Sequence, residues 1–235
     1  MDYSIRTAGF GDIVPGILRV PDVIPIFPLS GTVLMPGEVL PLHIFEPRYR
    51  AMVRDALAGH KVIGMVQALP ASAGEDSGLA RVCEVGCLGL IAQHEELPDG
   101  RFLLWLLGLE RFHIDQELTA ATAYRQVKVH YTPVEAPALR LAGIQPLRQE
   151  LRSMLPLLID TDDSTQSLLV SQMEEISDTQ LIALACQILE LGADRRQAIL
   201  EASSQVDRFL MIYEDVYRHL DLHPSDEALE PGVLN

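Results

Sequence analysis

Lysine is nearly absent from this chain: among 235 residues there are two, Lys61 and Lys128. A phosphate-binding loop of the Gly-x-x-x-x-Gly-Lys-Ser/Thr type needs a lysine to reach the terminal phosphates, and neither lies in that frame. A serine–lysine dyad would need one of the same two as its base. Both fall in stretches of strand character with no nucleophile signature beside them. Gly-x-Ser-x-Gly and His-Glu-x-x-His are missing as well. Cysteine is sparse and odd in number (Cys83, Cys87 and Cys186), which fits reduced thiols in the cytoplasm better than a disulfide framework. The longest apolar runs, 102–107 and 181–186, are far short of the ~20 residues that cross a bilayer. The first residues lack the basic start and apolar stretch of a secretory signal. These absences lead to an expectation of a soluble, cytoplasmic, non-catalytic protein with no cofactor.

What is present describes a folded protein. Hydrophobic residues make up 48% of the chain and charged residues 22%, a globular profile. The charge is strongly acidic, 18 basic against 33 acidic residues for a net of −15. Binding to a phosphate backbone depends on clustered Lys and Arg, so this balance disfavours nucleic acid. Acidity of this kind serves solubility.

Hydrophobic periodicity changes character near residue 135. Before it, short strand-like runs alternate with turns. The run 23–29 carries Pro25 and Pro28, which remove ladder donors and predict an edge strand or one that bends. Turns at Ser30-Gly31 and Pro36-Gly37 precede a second strand over 39–45. Pro47 suits the first position of a helix that carries Tyr49, Met52, Val53 and Ala56 and stops at Gly59. Further strands are expected over 61–68, 80–85, 88–94, 101–107, 111–114 and 124–131, with an exposed loop over 70–78 and a hairpin turn at 97–100. The continuous apolar run FLLWLL predicts a strand covered on both faces of a curled or closed sheet.

After a proline-bearing connector at 132–137, helical spacing takes over. Leu147, Leu151, Met154, Leu155 and Leu158 form one stripe, which Pro156 is expected to kink or end. Ser177 and Gln180 have capping-box spacing ahead of a helix that Gly192 is expected to close. A short helix over 195–202 and a longer one capped by Ser203 or Ser204 complete a small bundle. The expected division is an extension over 1–22, a β-rich domain over 23–135, a helical bundle over 136–223 and a loose tail over 224–235.

Weak constellations do not add up to a site. Cys83 and Cys87, with His94 nearby, lack the paired spacing zinc prefers, and buried thiols explain them. His219 and His223 sit at a helix end where imidazolium complements the dipole. Glu95, Glu96 and Asp99 read as a solvated turn.

One segment is more specific. Residues 24–57 read IPIFPLSGTVLMPGEVLPLHIFEPRYRAMVRDAL. With Pro25, Phe27-Pro28-Leu29, Pro36-Gly37, Pro41-Leu42, Ile44-Phe45-Glu46 and Arg48-Tyr49, the segment resembles the start of the substrate-binding domain of the ATP-dependent protease Lon. Short stand-alone bacterial relatives of that domain are especially similar. LPDGRFLLWLLGLERFHI (97–114) resembles the family's hairpin and its Gly-x-x-Arg-Phe step at Gly108, Arg111 and Phe112. The stretch 197–201 and Arg208 resemble its final helices.

The resemblance implies an α+β fold: a curled, barrel-like, mainly antiparallel β domain of the PUA-like type with one inserted helix, followed by a C-terminal helical bundle. It also implies a polypeptide-binding module without the family's ATPase and peptidase parts, acting as an adaptor or a holdase for unfolded chains. Most marker residues have architectural explanations: Pro28, Pro36, Gly37 and Pro41 set turns, and Ile26, Leu29, Leu42, Ile44, Met52 and Val53 read as core. Glu46, Arg48 and Arg111 fit either internal pairing or partner contact, and His43, Phe45 and Tyr49 are further candidates for a ligand-facing surface. Two other readings stay open, a PUA-like nucleic-acid module and small-ligand binding in a barrel-mouth pocket.

Overall fold

A computed structural model describes residues 20–70, 80–131, 145–159 and 170–220. The first part of the chain forms six strands: β1 (Val23–Leu29), β2 (Val39–Ile44), β3 (Val62–Gln67), β4 (Val85–Glu96), β5 (Phe102–Leu118) and β6 (Gln126–Tyr131). Helix α1 (Pro47–Ala58) lies between β2 and β3. The second part holds α2 (Gln145–Met154), running into a 3₁₀ turn (Leu155–Leu158), then α3 (Asp178–Ile188), α4 (Ala193–Glu201) and α5 (Gln205–His219). A helical segment over 170–175 precedes α3. The fold is mixed α+β.

The six strands lie in the order β2-β5-β4-β3-β1-β6, and β5 also pairs with β6. Pairing therefore runs from β5 through β4, β3, β1 and β6 back to β5, with β2 attached outside this ring. All neighbours are antiparallel except β1 and β3. The long β5 makes the ring possible, because its first half faces β2 and its second half faces β6. Two strands expected at 101–107 and 111–114 are thus one 17-residue strand, irregular in register near Leu88/Gly89 of β4. The strand expected at 80–85 reduces to one bridge, Ala68 to Val82, before β4 begins.

The prolines of β1 do not place it at an edge. Residues 23–25 pair with β6 and residues 26–29 with β3, so the strand changes partner at Ile26. Pro25 and Pro28 each sit in a half that is paired on one side, which is how an interior strand tolerates a missing N–H.

The helices end where local chemistry dictates. Ser177 and Gln180 form the full capping box of α3, and Ser204 caps α5 by accepting from the Asp207 N–H. The helix α2 stops at Met154, two residues before Pro156, and tightens into the 3₁₀ turn. Gly192 does not close α3, which ends at Ile188; it stands as the N-cap of α4. The connector expected at 132–137, the loop expected at 70–78 apart from Pro70, the residues before Val20 and those after Leu220, including His223, lie outside the described residues.

Two apolar clusters fill the molecule. The larger joins Phe27, Met35, Tyr49, Met52 and Leu104 to Leu155, Leu181, Phe209 and Tyr213. One core therefore spans both sides of residue 135. The smaller, of Ile24, Ile26, Val62, Val66, Leu88, Phe112, Val127 and Val129, lies on the opposite face of the strands.

Candidate functional site

The marker segment builds its own corner of the molecule. Pro36-Gly37 turns the chain into β2, with Gly37 at φ +84° and its N–H donating to the Gly108 carbonyl at 2.8 Å. The Gly108 N–H returns a 2.8 Å bond to the Glu38 carbonyl. A side chain at Gly108 would start 2.1 Å from the Met35 carbonyl oxygen, which explains the glycine of the Gly-x-x-Arg-Phe step. The turn is then pinned from the helical side. The buried Glu38 carboxylate accepts from the Met35 N–H and from Gln187 Nε2, each at 2.9 Å, and pairs with Arg196 of α4.

Arg111 and Arg208 serve the same junction. Arg111 is 5% exposed and donates to the carbonyls of Leu200, Glu201 and Ala202 at 3.4, 3.2 and 2.9 Å; Arg208 donates to Leu200 O at 3.0 Å. Two guanidiniums thus satisfy the terminal carbonyls of α4, where positive charge complements the helix dipole. Burial lowers the pKa of Arg111, and burial together with the neighbouring Arg111 charge lowers that of Arg208 to about 10. Tyr49 is also buried, its ring tilted against that of Phe27 with centroids 4.4 Å apart and the Arg48 guanidinium 4.5 Å above it; desolvation raises its pKa.

Of the six residues singled out from sequence, four face outward. Phe45 is 60% exposed, and its ring lies 6.0 Å from that of His43, also exposed. Glu46 and Arg48 form a 2.9 Å surface ion pair at the start of α1. Tyr49 and Arg111 are interior. The cysteines are interior or partly so: Cys87 is fully buried, with its thiol pKa pushed far up by desolvation, and that of Cys186 rises to about 12 for the same reason. Among the described residues no group of three or more His, Cys, Asp or Glu is arranged to hold a metal ion.

The run FLLWLL departs from expectation in a way that matters. Its burial alternates: Phe102, Leu104 and Leu106 are in the core, whereas Leu103, Trp105 and Leu107 are only half-buried. Cross-strand register continues that half-open face onto β2, with Leu107 opposite Val39, Trp105 opposite Pro41 and Leu103 opposite His43. Val39 is 38% exposed, a notable value for an apolar residue in a strand. On the other side β4 contributes Leu90, Gln93 and Glu95. The result is an apolar sheet face, with the chain's only tryptophan at its centre and β2 as an open edge. Sequence reasoning missed Leu103, Trp105 and Leu107 because an unbroken apolar run has no polar position to reveal its open side.

The edge and the face differ in what they offer. Pro41 has no N–H, so it interrupts the free edge as a template for strand addition. The face offers aromatic and aliphatic surface, the kind of patch that marks an interaction site. Among the described residues no helix is long and apolar enough to cross a membrane.

Comparison with known proteins gives this geometry a context. The chain is 26% identical over 222 residues to the Lon protease of Dictyoglomus thermophilum, covering 92% of this chain and 27% of that protein. It is 26% identical over 226 residues to Lon protease 2 of Myxococcus xanthus, covering 93% and 27%. The chain thus spans about a quarter of the length of the curated relatives it matches. Its fold resembles the N-terminal domain of Mycobacterium avium complex Lon protease, with a TM-score of 0.65 at 18% identity over 84% of this chain and 99% of that one. A Lon N-terminal domain protein from Xanthomonas campestris gives a TM-score of 0.55 at 22% identity over 86% and 99%. Residues 23–216 match the model of the ATP-dependent protease La (LON) substrate-binding domain, and the chain belongs to that family.

Proposed function

We propose that this chain is a non-catalytic recognition module for polypeptides, acting as an adaptor or holdase for unfolded chains in the cytoplasm. The observation that carries the reading is the apolar face around Trp105, on a domain whose family is the substrate-binding part of a protease. An unfolded polypeptide exposes short apolar segments, and a half-buried sheet face of aliphatic and aromatic side chains matches them without a polar signature. His43 and Phe45 extend that face at the end of β2, and Glu46 and Arg48 form its polar border. Tyr49 and Arg111 act from beneath, the first by supporting α1 and the second by holding α4.

The same reading takes the closed run of strand pairings as a PUA-like barrel. It takes 23–135 and 136–223 as a β domain and a helical bundle fused by Glu38–Arg196 and the Arg111 contacts. The test is co-elution in size-exclusion chromatography with a reduced, carboxymethylated protein that cannot fold, using its native form as control. The unfolded form is expected to co-elute and the native form not. Absence of co-elution with the unfolded form would overturn the proposal.

A further inference from the structure

The Trp105 face is bordered at both ends by carboxylates that have no cationic partner among the described residues. Glu95 on β4 lies directly opposite Leu103, on the same side of the sheet. At the other end Glu110 lies opposite Leu88, whose side of the sheet is that of Leu90 and Leu107. The shift in register at Leu88/Gly89 produces this placement: it skips Leu109 and turns Glu110 toward the apolar face. Among the described residues neither the Glu95 nor the Glu110 side chain has a hydrogen-bond or ion-pair partner. Their acidic neighbours do: Glu96 is held by Arg54, Asp99 by Arg101 and Glu46 by Arg48. Glu110 is half-buried, and desolvation raises its pKa. A bound positive charge would relieve that cost.

The spacing defines what fits. Seven positions of β5 separate Leu103 from Glu110, roughly 20 Å along the strand and the span of about six extended residues. We propose that the face selects extended apolar segments of about six residues bracketed by Lys or Arg at both ends, with Glu95 and Glu110 meeting the flanking charges. This rests on reading the face as a polypeptide surface and goes further by fixing the class of segment. Unlike a general attraction to the acidic chain, it places the selectivity in two named carboxylates.

The test uses the full chain and three fluorescein-labelled peptides lacking tryptophan. They share a six-residue core of Val, Leu and Phe, flanked on each side by two lysines, two serines or two glutamates. Affinities are read by anisotropy at low salt and again at several-fold higher salt. The lysine-flanked peptide is expected to bind about three- to ten-fold tighter than the serine-flanked one, the range for two partly exposed ion pairs. The glutamate-flanked peptide is expected to bind weakest, and salt to compress the order. The double variant E95Q/E110Q should erase the preference for lysine over serine flanks. The charge-matched control E174Q/E175Q, altering two exposed residues over 170–175, should keep it.

Equal affinity of the lysine- and serine-flanked peptides overturns the inference and leaves the polypeptide reading standing. So does a lysine preference that survives in E95Q/E110Q or is lost equally in E174Q/E175Q. Failure of all three peptides to bind overturns both.

Discussion

Replacing Glu38 by leucine removes the group that ties the Pro36-Gly37 turn to the helical half. In the native structure its carboxylate accepts three donors, from Met35, Gln187 and Arg196, and the side chains of Glu38 and Arg196 are 7% and 13% exposed. Removing one partner of a buried pair costs about 3–5 kcal/mol, because the other charge is left desolvated. Arg196 keeps its bonds to the Val33 carbonyl at 2.9 and 3.2 Å and retains some solvent, so the lower end, about 3 kcal/mol, is expected. For a chain of this size that is a fall in Tm of roughly 6–12 °C. Urea unfolding followed by Trp105 emission measures it, since no other tryptophan contributes. The midpoint should fall at unchanged m-value. The double variant Glu38→Leu/Arg196→Met should cost less than the sum of the two single changes, since neither charge is then stranded. A loss below about 1 kcal/mol in Glu38→Leu, or strict additivity in the double variant, would refute the view that this pair fastens the two halves.

Other consequences are open to measurement. Gly108→Ala places a Cβ 2.1 Å from the Met35 carbonyl, a backbone atom that cannot swing away, so a loss of roughly 2–4 kcal/mol is expected from urea midpoints. His113, stacked at 5.2 Å on His130, has its pKa lowered by desolvation first, then by Arg111 and His130; the neighbouring acids Glu84 and Glu201 oppose this. The unfolded chain therefore binds the His113 proton more readily, and stability falls as pH drops through the ordinary histidine range near 6.5. His113→Gln should flatten the stability-versus-pH curve between pH 7 and 5 relative to the parent. Phe45→Ser, at a position 60% exposed, is expected to change stability by less than about 0.5 kcal/mol while weakening capture of the unfolded protein.

Much of this architecture is legible in the residues themselves. Ser177 and Gln180 announce a helix start because capping is local chemistry, and the structure shows both halves of the box. Pro47 and Gly59 likewise bracket α1, and Pro156 marks the end of α2. What sequence does not reveal is set by long-range pairing. The partner change at Ile26 depends on β3 and β6, some 40 and 100 residues away, so Pro25 and Pro28 read only as signs of an edge or a bend. The strand residues Gly108 and Arg111 are recognisable in a motif, but their purpose depends on Met35 and on the end of α4. The open face of FLLWLL is hidden because both faces are apolar. His43, Phe45 and Tyr49 read alike in sequence, and only the first two are exposed, because Tyr49 is turned inward on α1.

The claim at the centre of this account is that the face holding Trp105 contacts unfolded polypeptide. Trp105 itself is the probe: titrating the chain with a tryptophan-free apolar peptide should shift its emission to the blue, saturably, as peptide displaces water from the half-buried indole. A folded protein without tryptophan should leave the emission unchanged. Peptide binding shown independently by anisotropy, with Trp105 emission unmoved, would contradict the account.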